Sequence, residues 1–287
     1  MTASFFVSFI LMKFKYIFII FNIFIVLFLL VIAALPVVML GPGHTGKIWI
    51  SSWPLTLLLA LVMIGLNVFF LANHRLFALL EREDWPALAD YLERRVMNTG
   101  RYPPRMVKLL ANSYLIMSDF GGVLRLEKKL ALEKPVLLEK NALVFGAARI
   151  LRGDSVGAAD FFRVRLENQK TGNVQWTRWY YGFSLMLSRA FGKAEAEFKE
   201  LAGTCDDALI SGLSAWFLAD TLAKYSADRE SCQAAAEDGR LRVRQTLKKI
   251  ERWKKESAKI ENEIHAAIIR KYLDEAAIWL FSGSDYE

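Results

Sequence analysis

The stretch Leu110–Pro135, "LANSYLIMSDFGGVLRLEKKLALEKP", decides how the chain is read. It shows no alternation of apolar and polar residues of the kind a strand needs. Apolar residues recur at helical spacing on both sides of Ser118-Asp119-Phe120, and Pro135 closes the segment. The pattern is that of two helices joined by a tight turn. Working outward, the arrangement returns: Asp84-Trp85, Asp119-Phe120 and Asp154-Ser155 follow at intervals of 35 residues. Gly146 and Gly182, Ala158 and Ala194, and Phe162 and Phe198 are each 36 apart. A helical pair with one apolar face cannot bury that face alone. Stacking successive pairs hides it, and small residues where two helices touch allow close approach.

These residues resemble a tetratricopeptide repeat (TPR). Leu110, Ala111 and Tyr114 stand at that family's first-helix packing positions, and Ser118-Asp119-Phe120 at its Gly-Asp-Tyr turn. Val123 takes a small apolar position and Pro135 ends the unit. The family period is about 34 residues, so one extra residue per unit is a departure, as are Gly121-Gly122 and the fourth turn, Arg189-Ala190-Phe191. Four units are expected, at about 69–103, 104–138, 139–174 and 175–208. The alternative is an irregular helical bundle without a true repeat. Beyond 208, Leu209–Tyr225 reads as an apolar helix and Asp228 as an N-cap. A longer helical region at about 230–281 carries the stripe Leu247, Ile250, Trp253, Ile260, Ile264, Ile268 and Tyr272. The resemblance makes 209–287 a degenerate repeat followed by capping helices.

Charge divides the chain near residue 73. Residues 1–73 hold no Asp or Glu and only Lys13, Lys15 and Lys47, whereas the rest holds 34 of the 37 basic and all 30 acidic side chains. Tyr16–Leu40 carries no charge; as a helix its 25 residues reach about 37 Å, beyond the roughly 30 Å hydrocarbon core. It also exceeds the about 7–15 residues of a cleaved signal core. Trp53–Leu71 is a second apolar run fronted by Trp49 and Trp53, giving spans at about 16–40 and 53–73 joined by residues 41–52. That connection opens "GPGHTGKI" (Gly41–Ile48), most of a phosphate-binding loop. Ile48 stands where a Ser or Thr must hold Mg²⁺, and no strand precedes it, so it reads as the tip of a hairpin. Lys13, Lys15, Arg75, Arg82, Arg94 and Arg95 outweigh Lys47, which places both termini in the cytoplasm. The alternative puts the repeat domain in the periplasm. "NVFFLANHRLFALLERED" (Asn67–Asp84) runs from span to repeat without Pro or Gly, as one rod. The expected fold is all-α: a two-helix transmembrane hairpin (1–73), a TPR-like α-solenoid (74–208) and C-terminal capping helices (209–287).

Nothing in the sequence carries catalysis. Cys205 and Cys232 are 27 apart, the three histidines (His44, His74, His265) are scattered, and neither HExxH nor GxSxG occurs. The chain reads as a non-enzyme without cofactor or metal. A soluble part with 34 basic against 30 acidic residues is too mildly charged to argue for nucleic acid. Nine basic residues from Arg240 to Lys259 against Glu251 and Glu256 read as a solvated helix face, with a site for acidic lipid or RNA as the alternative.

The TPR resemblance implies a groove that holds protein partners. By the repeat's register Arg105, Lys108, Asn112 and Lys140 form its polar, basic portion. Trp176, Trp179 and Phe183 read either as groove lining or as repeat-to-repeat packing. Lys108 and Asn112 match two positions that some members use to grip a terminal carboxylate. Val144, Trp176 and Tyr180 stand at the other clamp positions, so that use is not expected. The implied function is a scaffold that binds protein partners and the bilayer at the bacterial inner membrane and organises a larger membrane complex. TPR proteins of envelope or flagellar-motor assemblies are similar. The layout of tail, span, short connection, span and repeats is also similar to the HemY family, which implies, as the alternative, an accessory role in porphyrin metabolism.

Overall fold

The computed structural model describes residues 14–40, 42–168, 173–260, 263 and 265–282. Among these residues the chain is entirely helical, with no strand. It divides between Leu92 and Glu93 into two compact units.

The first unit holds helices α1 (Phe14–Leu40) and α2 (Pro42–Glu81), and the larger part of α3 (Trp85–Val96). α2 corrects the expected connection. Its backbone is already helical from Pro42, so residues 42–52 are part of the second helix, not a link between two spans. Proline at the first helical position gives up an N–H that has no intrahelical partner in any case. Pro54 lies inside α2, where it removes one backbone hydrogen bond without ending the helix. Gly41 lies outside the described residues. The absence of Pro and Gly in 67–81 does give one continuous helix into the first repeat position. α1 and α2 run antiparallel: Asn67 Nδ2 donates to Asn22 Oδ1 at 2.8 Å, and Phe18 stacks on Phe70 at 3.9 Å. Each asparagine also donates to the carbonyl four residues back. Away from these contacts the apolar side chains face outward, from Ile19 and Phe24 on α1 to Leu61 and Leu71 on α2. The stretch Leu57–Glu81 is long and apolar enough to cross a membrane, and a shorter apolar stretch covers Phe18–Ile32.

The second unit is a run of helical pairs. They are α4 (Pro104–Ile116) with α5 (Phe120–Glu133), α7 (Ala142–Leu151) with α8 (Ser155–Asn168), α9 (Val174–Leu187) with α10 (Phe191–Thr204), and α11 (Ala208–Asp220) with α12 (Arg229–Leu247). A short helix α6 (Pro135–Lys140) precedes α7. Within this run each first helix packs on its own partner, on the neighbouring first helices and on the second helix of the preceding pair.

The 35-residue rhythm of aspartates has a specific cause. In four successive turns one residue takes a left-handed conformation: Glu83 (φ 51°), Ser118 (57°), Gly153 (85°) and Arg189 (63°). The next N–H then reaches the carbonyl five residues back, Asp84 to Leu79, Asp119 to Tyr114, Asp154 to Arg149 and Ala190 to Leu185, at 2.8–3.2 Å. This closes the ends of the first helices by a Schellman motif. The aspartate carboxylate starts the second helix by accepting from the N–H three residues on, at Ala87, Gly122 and Gly157. Ala190 holds the same backbone geometry without a side-chain cap. The Gly–Phe intervals are likewise contacts. A Cβ built on Gly146 would lie 1.9 Å from the Phe162 ring, and one on Gly182 would lie 3.1 Å from Phe198.

The expected helical region at about 230–281 is divided. It forms α12, α13 (Ile250–Ile260) and α14 (Ala266–Phe281). Lys248 at φ 62° ends α12, and the chain folds back. A straight rod could not bring both Trp253 and Leu280 against Gly212 of α11, where each packs. Trp253 Nε1 donates to Leu273 O, and guanidinium groups of Arg240 and Arg244 hold the carbonyl groups at the end of α14.

Candidate functional site

The sequence of α4 puts Arg105, Lys108, Leu109 and Asn112 at helical spacing on one face. With Lys140 and Asn141 at the α6–α7 junction they line a cleft of about 410 Å³. A second cleft of about 260 Å³ shares Lys108, Lys140 and Asn141 and continues to Asn173 and Thr177 of α9. Its far wall is Glu263 and His265 from the chain's own C-terminal region. Of the expected partner-binding residues, the structure therefore brings together Arg105, Lys108, Asn112 and Lys140. The three cations are exposed. Lys108 Nζ lies 4.0 Å from Glu263 Oε2, and Arg105 and Lys140 have no ion-pair partner among the described residues. Asn112 Oδ1 is enclosed and accepts no hydrogen bond among the described residues.

Trp176, Trp179 and Phe183 do not belong to this site. They are buried at 4 %, 0 % and 2 % exposure, which corrects their reading as groove lining. Trp179 stacks on Phe183 and packs against Phe198 and Phe217, all core residues. The open side of α9 is covered by the C-terminal region: His265 packs against Trp176, and Tyr272 against Phe183, Trp216 and Phe217. Trp253 and seven side chains of α14 are buried with them. At about 1.5–3 kcal/mol for each large apolar side chain, this cover is core and not a removable lid.

The junction between cover and cleft is polar. Tyr180, fully buried on α9, donates to His265 O at 2.8 Å, and its oxygen lies 3.1 Å from His265 Nδ1. His265 Nε2 meets Glu263 Oε2 at 2.9 Å. The hydrogen bond from His265, more than the nearby Lys108 charge, holds the Glu263 carboxyl below the usual carboxylate range. Complete burial pushes the Tyr180 hydroxyl well above its ordinary value. Sequence reasoning missed Tyr180, Glu263 and His265 because their partners lie 85 residues apart. The one available sign was a histidine just after a basic, amphipathic segment.

Chemically the arrangement can hold a polar or acidic segment by charge and hydrogen bonding. No group of His, Cys, Asp and Glu suited to a metal ion occurs among the described residues. Cys205 and Cys232 are both buried free thiols, and burial pushes both thiols up, so neither acts as a ready nucleophile.

Residues 122–282 match the family model described as an uncharacterised Treponema protein. A relative from Treponema pallidum (strain Nichols), described as an uncharacterized protein, is 28% identical over 237 residues, covering 78% of this chain and 74% of its own. No solved structure matches the chain. Lys140, the Tyr180–His265 junction and the aromatic core fall inside the region matched by the family model, whereas Arg105, Lys108 and Asn112 precede it.

Proposed function

We propose that this chain, which belongs to the uncharacterised Treponema protein family, is a membrane-anchored, non-catalytic TPR-like scaffold that holds a protein partner at the open cleft of its second unit. The outward-facing apolar side chains of α1 and α2 support a two-span anchor. The lysines and arginines flanking the hairpin favour cytoplasmic termini.

The observation that carries the partner reading is the cleft itself. Two of its three cations have no ion-pair partner among the described residues. A protein segment with carboxylates supplies the missing counter-charge. The wall at Glu263 and His265 limits how much of that segment fits. It enters from the α4 side and stops at α9 instead of running the length of the stack.

A photo-crosslinking residue at Leu109, which lines the cleft, should capture one discrete protein in cells. The capture should fall when Arg105 and Lys140 are changed to Glu. Capture from a crosslinker within α1 or α2 but none from Leu109 would remove the cleft reading and leave the anchor.

A further inference from the structure

The basic run Arg240–Lys259 separates into two sets in the structure. Arg240 and Arg244 hold carbonyl oxygens of Leu280 and Ser282, Arg242 reaches Gly203 O and Asp206, and Lys259 pairs with Glu256 at 2.6 Å. Those four are committed to the fold or to a neighbour. Lys248, Lys249, Arg252, Lys254 and Lys255 are exposed, and their side chains have no hydrogen-bond or ion-pair partner among the described residues. They fall within eight residues that contain one carboxylate, Glu251, so this corner of the molecule carries four net positive charges. α13 presents Trp253 to the core and places Lys255 on the opposite, solvent side, with the exposed Arg252 and Lys254 flanking it.

We infer that the solvent face of α13, together with Lys248 and Lys249, is a docking surface for the anionic headgroups of a lipid bilayer. Charge complementarity sets the ligand class. The committed occupant follows from connectivity: this helix is in the same chain as the Leu57–Glu81 apolar stretch, so an anchored chain keeps it near a bilayer at high effective concentration. Each cation near an anionic surface strengthens docking about fivefold, and the attraction fades within about one Debye length, roughly 8 Å at physiological salt. The face offers charge without an exposed aromatic wedge, so it rests on headgroups without inserting. The inference rests on the membrane anchor of the proposed function.

The test uses the full chain reconstituted in vesicles. A fluorophore is placed on Ala258→Cys, an exposed position on α13; the buried native thiols leave that position as the labelling site. Vesicles are phosphatidylcholine alone or with one-fifth phosphatidylglycerol, and both carry a headgroup quencher. Quenching should rise several-fold with the anionic lipid and disappear in 0.5 M salt. It should be lost when Lys248, Lys249, Arg252 and Lys255 become Gln, while Lys193→Gln, an exposed lysine on α10, leaves it unchanged. Equal quenching in both vesicles, no effect of the four substitutions, or a response to single-stranded RNA without one to anionic vesicles would overturn the inference. Flotation with neutral vesicles reads the anchor separately. A chain that floats with them yet shows no lipid-dependent quenching loses only the docking surface. A chain that floats only with anionic vesicles loses only the anchor.

Discussion

At the residue scale the turns of the second unit show how a short motif is written in side chains and where it is left incomplete. Asp119 and Asp154 cap their helices, and Ala190 stands at the equivalent place with an uncapped N–H row behind it. Ala190→Asp should raise stability by about 1 kcal/mol, the usual size of an N-cap. Arg189→Gly should add a similar amount by removing a left-handed Cβ clash of about 1 kcal/mol. Urea unfolding of the purified chain in detergent reads both, and a midpoint that stays put would show that this turn is not limited by local geometry. Gly146 and Gly182 give a paired test. Alanine in a helix gains about 1 kcal/mol over glycine, but a Cβ 1.9 Å from Phe162 cannot be accommodated without moving the ring. Overpacking at Gly146 should outweigh the gain and destabilise by about 1–3 kcal/mol. Gly182→Ala, at 3.1 Å from Phe198, should be close to neutral.

At the element scale two polar contacts join helices that apolar packing alone would leave free to slide. In the hairpin, Asn22 and Asn67 meet inside an apolar pair of helices. For the two-span anchor proposed above, either one replaced by Leu should weaken the pairing by about 0.6–2 kcal/mol, the range for hydrogen bonds between membrane helices. A disulfide-trapping assay across α1 and α2 would register the slip. In the second unit, Arg149 of α7 forms a two-point ion pair with Glu127 of α5. Phe161 of α8 lies under both Arg165 and Arg149, at 3.3 and 4.2 Å. Arg165 in turn sits 3.4 Å from Glu139 of α6. Burial lowers the proton affinity of Arg165, and the carboxylates of Glu139 and Glu127 oppose that shift. Glu127→Gln alone should cost about 3–5 kcal/mol because it strands Arg149, while Glu127→Leu with Arg149→Met should be far milder. Thermal melts of the three proteins separate a structural ion pair from an incidental one.

At the scale of the whole molecule, stability should fall at alkaline pH. Burial and the hydrogen bond to Glu133 push the Tyr102 hydroxyl up to about 12, and burial, with the nearby Glu263 charge, raises Tyr180 well above its ordinary value. An unfolded chain loses these protons near pH 10 while the folded chain keeps them. The contribution is therefore complete below about pH 10 and is lost as the pH rises toward 12. Tyr180→Phe should flatten part of that decline and loosen the His265 junction, which amide exchange across 263–270 would report. The buried thiols make the fold observable in a second way: Cys205 and Cys232 should resist maleimide in the native chain and react together on unfolding. For the same reason, impermeant labelling at these two cysteines does not report topology, and an introduced surface cysteine is needed.

The sequence by itself determined the helical class, the division into an apolar and a water-compatible part, and the positions of the turns. These depend on neighbours within a few residues. A period of 35 survives in one dimension because each Asp caps its own helix and each Gly meets a Phe sixteen residues on. The basic cleft residues were legible for the same reason, since Arg105, Lys108 and Asn112 share a face of one helix. Only the tertiary structure decided what covers what. Trp176, Trp179 and Phe183 have the composition of a binding surface. They became core because a segment some 80 residues away folds over them, and Lys248 turns the chain where no Pro or Gly announces it. Burial depends on contacts between segments distant in sequence. A stripe of aromatic residues states that something must lie against it, without stating whether that is a partner or the chain itself.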